Sequence, residues 1–176
     1  MTTDIFSRIP ADYPPQTRVW IYQSDRTLPE NEAAAIEDGL NLFCSDWKSH
    51  GAAVRGAGFL LMNRFIVLLA DETRTGVSGC STDSSVKMIR ALGENYGIQF
   101  FDRLQLAFLI NGSISTLPLS ELSNAFNLDF INQDTPYFNN SITTLQAFKT
   151  NWMIPLKDSW LVVKIKGGMQ AAPTAR

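Results

Sequence analysis

A thiol, a run of hydroxyls and flanking glycines meet in Ser78-Gly79-Cys80-Ser81-Thr82-Asp83-Ser84-Ser85. The segment lies between an apolar strand-like run and a helix-like run. Three chemistries fit it. In the first, Cys80 is a nucleophile. A cysteine thiol ordinarily titrates near about 8.5 and falls to roughly 7 or lower beside a helix N-terminus or a cation. His50, the one histidine, would then be the base, and Asp71 or Glu72 would orient it, as in Cys-His hydrolases and transferases. In the second, Ser78, Gly79, Ser81, Thr82 and Ser84 hold a phosphate or carboxylate with backbone N–H groups and hydroxyls at a helix start. In the third the segment is structural. Thr82 or Ser81 caps the helix, Asp83 complements the dipole in the first turn, and Cys80 fills a small pocket. The Asp83 charge would compete with a bound anion. His50 and Asp71-Glu72 also have ordinary uses, at a helix C-terminus and in a solvated turn. A metal site of His50, Cys80 and one carboxylate lacks any ligand-spaced cluster, so neither a metal nor another cofactor is expected.

The elements that must position these residues follow from periodicity. Met1 to Thr17 carries Pro10, Pro14 and Pro15 and reads as an arm along the domain surface. Val19 to Tyr22 reads as a strand. Thr27-Leu28-Pro29-Glu30 matches a capping box. The helix after it places Ala33, Ile36, Leu40, Phe43 and Trp47 on one face and is expected to stop near His50-Gly51. Cys44 falls near that stripe as a core filler. Phe59 to Leu61 and Phe65 to Leu69 read as two strands. The second is apolar without alternation, so it should be covered on both faces. A second helix, with Val86, Ile89, Leu92 and Tyr96 inward, should end at Gly97, and Leu104 to Ile110 should be a fourth strand. Pro118 to Phe126 and Ser141 to Trp152 read as helices, and Trp160 to Ile165 as a last strand.

The expected fold class is therefore α+β: a ferredoxin-like βαββαβ antiparallel sheet with both helices on one face, plus a C-terminal extension of helix and strand. The reading gives an arm at 1–17, one domain at 18–166 and a floppy tail at 167–176. In that topology His50, Asp71-Glu72 and the Cys80 loop converge on one end of the sheet.

Composition narrows the partners. The chain has 176 residues, 45% hydrophobic and 18% charged, with net charge -2. That balance supports a sizeable core and argues against dedicated nucleic-acid binding. Two cysteines make no disulfide framework in a chain this long. The start shows no signal-peptide pattern, and the longest apolar run, Phe65 to Ala70, cannot span a bilayer. The expectation is a cytoplasmic protein with reduced thiols and no membrane partner.

His50-Gly51, Asp71-Glu72, Ser78 to Val86, Phe101-Asp102-Arg103, Phe138-Asn139-Asn140 and Ser159-Trp160-Leu161 together resemble a family of small uncharacterised bacterial proteins often labelled "ABC transporter ATPase". The resemblance runs from Val19 to Leu161 and implies no established activity or catalytic residues. The ATPase label fails a chemical requirement. A P-loop needs Gly-Lys before its hydroxyl residue, and no Gly-Lys pair occurs in the chain. The leading expectation is a domain that binds a small ligand, with anions among the candidates, or a protein partner beside Cys80. A thiol enzyme using Cys80 with His50 is the first alternative. A structural or assembly role, as a homodimer through exposed aromatics and a sheet edge, is the second.

Overall fold

The computed structural model describes residues 5–170, with side chains through Ile165. The protein is a mixture of helices and antiparallel sheets, an α+β chain. Its contacts divide it into two compact units. Unit 1 comprises Met1–Asp102 and Asn140–Thr150; unit 2 comprises Arg103–Asn139 and Asn151–Arg176. The sequence alone offered one domain over 18–166.

Unit 1 is built on three antiparallel strands, β1 (Arg18–Gln23), β4 (Arg55–Leu61) and β5 (Phe65–Asp71), in the order β1-β5-β4. Every residue of β5 is buried, as its unalternating apolar run requires. One face, carrying Tyr22, Leu60 and Ile66, packs against helices α1 (Glu30–Asp46) and α2 (Gly79–Tyr96) through Ile36, Leu40 and Ile89. On the opposite side the arm is held close. Arg8 lies over the Phe59 ring, Arg55 lies over Tyr13, and Phe6 meets Phe148 edge-on at 5.3 Å. Gly56 and Gly58 alternate along β4 on the helix side. A Cβ on Gly58 would come within 3.0 Å of Leu40 Cβ, so glycine is what lets α1 approach the sheet this closely.

Several boundaries differ from the sequence reading. The capping box at Thr27–Glu30 is not formed. Pro29 is the N-cap and makes no side-chain cap bond. Thr27 Oγ1 instead accepts from Arg64 Nη2 (2.9 Å), and Glu30 Oε1 from Asn63 Nδ2 (2.8 Å). Both side chains are drawn to the β4–β5 turn. Helix α1 stops at Asp46, short of His50, because Trp47 leaves the helix in an extended conformation and is buried. The chain then makes a small hairpin, β2 (Lys48–Ser49) with β3 (Ala52–Ala53). Helix α2 ends as expected on Gly97, which is left-handed at φ 63° and donates its N–H to the Gly93 carbonyl.

The expected fourth strand of this sheet is elsewhere. β6 (Gln105–Ile110) belongs to unit 2, in a second antiparallel sheet with β7 (Ser113–Pro118), β8 (Pro136–Phe138) and β9 (Met153–Pro155), in the order β7-β6-β8-β9. The reason is local. Asn111 and Gly112 both have positive φ, 50° and 78°, which suits the two-residue type I′ hairpin turn. That turn commits β6 to β7. The free side of β1 is occupied instead by residues 140–145. Val19 N–H donates to the Thr143 carbonyl (2.9 Å), Leu145 N–H to the Thr17 carbonyl (2.8 Å), and Asn140 Nδ2 to Gln23 Oε1 (2.9 Å).

The remaining helices are short. Residues 118–126 divide into the end of β7, a single 3₁₀ turn and α3 (Leu122–Asn127). Of 141–152, only α4 (Leu145–Asn151) is helical. Trp160–Ile165, expected as a strand, starts α5 (Leu161–Gln170). Leu161 and Ile165 stand four apart, one helical face, and both are buried with Leu122, Phe108 and Tyr137. This packing overrides the strand preference of the valines between them. Residues 167–170, read as tail, continue that helix; 171–176, like arm residues 1–4, lie outside the described residues.

Candidate functional site

The Cys80 segment is the first turn of α2, and its hydroxyls are committed to holding that turn. Ser78 is the N-cap: its Oγ accepts from Ser81 N–H at 3.3 Å. Ser81 Oγ donates to the Lys48 carbonyl (3.0 Å), so its 2.8 Å contact with Ser78 Oγ uses the Ser78 proton. Thr82 Oγ1 donates to the Ser78 carbonyl, Ser84 Oγ to the Ser81 carbonyl and Ser85 Oγ to the Thr82 carbonyl. The expected caps Ser81 and Thr82 are thus inside the helix. Asp83 is exposed and outside the first turn, which holds no acidic residue. The residues left open are Gly79 and Cys80, both exposed. Their backbone N–H groups have no hydrogen-bond partner among the described residues. Cys80 does not fill a pocket.

This helix start is stitched to strand β2. Ser49 Oγ donates to the Gly76 carbonyl (2.7 Å) and accepts from Ser78 N–H (3.2 Å). Trp47 Nε1 donates to the Ser81 carbonyl (3.1 Å). So the segment around His50 does come to the Cys80 loop, but through Trp47, Lys48 and Ser49. These residues were missed as site neighbours. The signal was present in Trp47, a large indole with a donor that must be satisfied where it is buried.

His50 itself is at the tip of the hairpin. It is exposed, with φ 50°, followed by Gly51 at φ 83°. Histidine is one of the few residues that tolerate this region, and the pair makes a I′-type corner. Among the described residues neither His50 nor Cys80 makes a side-chain hydrogen bond. The expected position in a last helical turn is therefore replaced by a turn role.

The two carboxylates have separate tasks. Asp71 ends β5 directly opposite Arg55, whose Nη1 donates to Oδ2 at 2.9 Å; Thr73 N–H donates to Oδ1 at 3.0 Å. Strand parity puts Asp71 with Phe65, Val67 and Leu69, on the arm side, away from α2. Arg55 also pairs there with Asp12. Burial pushes the Asp71 carboxyl up, but the Thr73 hydrogen bonds and the Arg55 guanidinium outweigh it and hold the group below the ordinary carboxylate range. The side chain is only 3% exposed. Glu72 Oε1 accepts from Val77 N–H (2.9 Å) and faces Arg18 at 3.7 Å, which shapes the loop before Ser78.

No family model, curated protein or solved structure matches the chain.

The second thiol is of a different kind. Cys44 lies against Gly58 and beside the Trp47 cluster, and burial pushes its thiol up to about 12. Among the described residues no three His, Cys, Asp or Glu side chains are grouped to hold a metal. Nor is any described helix long and apolar enough to cross a membrane.

Proposed function

We propose that the chain is a binding domain that receives a small anionic ligand at the start of α2, beside Cys80. The observation that carries this reading is the division of groups in the first turn. The hydroxyls are bonded within the turn, Ser78 as the cap and Thr82 and Ser84 to backbone carbonyls, while the amides of the exposed residues Gly79 and Cys80 are unbonded among the described residues. Such amides at a helix start attract negative charge. Asp83, three residues after Cys80 and four after Gly79, stands on the same helix face, so its charge competes with the anion and Asp83→Asn should tighten binding. Screening phosphate, nucleotides and small carboxylates by thermal shift tests the reading, with protection of Cys80 from alkylation as a second readout. A ligand should raise the melting temperature and slow alkylation together. Neither effect across the panel would refute it.

The rival, a thiol enzyme using Cys80 with His50, draws support from the exposure of Cys80. Its test is the pH profile of Cys80 alkylation. If His50 is the base, His50→Ala shifts that profile; an unchanged profile sinks the idea. Membership of the family named above remains a proposal and assigns no activity. Unit 1 is also read here as an altered ferredoxin-like sheet. In support, its three strands keep that order and residues 140–145 run beside β1.

A further inference from the structure

The two larger sheets have four outer edges, and three are blunted. At β4, Leu60 N–H donates to Glu37 Oε1 (3.2 Å) and Arg8 Nη1 donates to the Leu60 carbonyl (3.2 Å). Beside β1 run residues 140–145. β9 is three residues long and ends in Pro155. Short strands, proline and charged side chains are the usual protections against edge-to-edge pairing. β7 has none of them along its six residues until Pro118. No charged side chain occurs from Leu104 through Ser120.

The register says which groups β7 presents. The turn at Asn111-Gly112 makes Ile110 and Ser113 the first hydrogen-bonded pair, so Ser113, Ser115 and Leu117 bond to β6. The N–H and C=O groups of Ile114 and Thr116 therefore point outward. Among the described residues they have no hydrogen-bond partner.

We propose that β7 pairs antiparallel with β7 of a second copy of this chain, about a twofold axis at Ser115. In this register Ile114 faces Thr116 of the second copy and Thr116 faces its Ile114. Both pairs exchange N–H to C=O bonds, so all the outward groups of Ile114 and Thr116 are satisfied in both copies. Pro118, which has no N–H, faces Gly112, so the paired stretch ends there on both sides. No like charges meet, because the strand has none. The contact is isologous and closes at two copies, joining two four-stranded sheets into one. The uncharged edge offers a charged peptide no ion pair, whereas a second copy in this register uses every outward backbone group of Ile114 and Thr116.

Sedimentation velocity over a concentration series tests the proposal. The wild-type chain should move from monomer toward twice that mass. Thr116→Pro removes an outward N–H while sparing the bonds to β6, and should leave a folded monomer. Ser115→Cys in a Cys80→Ser background places two thiols opposite each other in a non-hydrogen-bonded pair, close enough to oxidise. It should give a covalent dimer on mild oxidation, whereas Ser120→Cys should not. A chain that stays monomeric throughout overturns the proposal. So does a dimer that fails to cross-link through Ser115→Cys.

Discussion

Gly56→Ala is the sharpest probe of how unit 1 is packed. A Cβ on Gly56 would lie 2.7 Å from Trp47 Cε3 and 3.1 Å from Cζ3. Carbon atoms in contact prefer about 3.5–4.0 Å, so the overlap approaches roughly 1 Å. The indole has little room to retreat. It is 2% exposed, bonded through Nε1 to the Ser81 carbonyl, and packed on Phe43 and Trp20 at centroid distances of 5.2 and 6.1 Å. Overpacking of this kind costs about 1–3 kcal/mol. That range holds with the indole hydrogen bond kept; its loss would add about 1–3 kcal/mol, because Nε1 would be a buried donor without an acceptor. The entropy gained by removing a glycine offsets roughly 0.4–1 kcal/mol. The expected net loss is about 1–3 kcal/mol, read as a lower urea midpoint at unchanged slope. Gly76→Ala, with open space around the added methyl, should be near neutral. In a Trp47→Leu background the Gly56→Ala penalty should largely vanish. A Gly56→Ala protein as stable as wild type, or an equal penalty without the indole, would refute the packing account.

Three further outcomes are expected. With its thiol near 12, Cys44 is ionised at pH 8 in only about one molecule in ten thousand, so a disulfide reagent should titrate one thiol quickly and the second only on unfolding; Cys80→Ser should abolish the fast phase. Ser78→Ala deletes the α2 N-cap and should cost about 0.5–2 kcal/mol in urea unfolding, with the larger values if the Ser81–Lys48 contact loosens as well. Asp71 titrates lower in the folded chain than its unfolded value of about 3.9, so its contribution is present above that pH and is lost as pH falls through the folded value. Asp71→Asn should weaken the chain at neutral pH and flatten the acid limb of its stability curve.

Much of unit 1 was legible because its signals are periodic. The stripe Ala33, Ile36 and Leu40 faces the core, the unalternating β5 run is buried on both faces, and Gly97 ends α2. The failures are tertiary. His50-Gly51 looked like a helix stop, yet burial of Trp47 ends the helix first and leaves the pair as a hairpin corner. Asn111-Gly112 is a strong hairpin signal that went unread, and missing it placed β6 in the wrong sheet. The hydroxyls around Cys80 were legible as capping residues, but which one caps depended on β2, whose partner groups arrive from the other side of α1. Asp71 was assigned to the Cys80 end on topology alone; strand parity, read from its pairing with Arg55, sends it to the other face.

The strip of chain beside β1 has a consequence for the order of assembly. Val19 N–H waits for the Thr143 carbonyl, and Thr17 for Leu145, so the first strand made is finished by one of the last segments made. Unit 2 is likewise interrupted, with Asn140–Thr150 set between its two parts. During synthesis, which proceeds from the N-terminus, β1 emerges with one side bare and keeps it bare through most of translation. A chain stopped before residue 140 would expose that strand permanently, and aggregation of such fragments is the expected failure. Closing so long a loop also slows the final step. The interleaving therefore makes full-length synthesis a condition for a protected sheet.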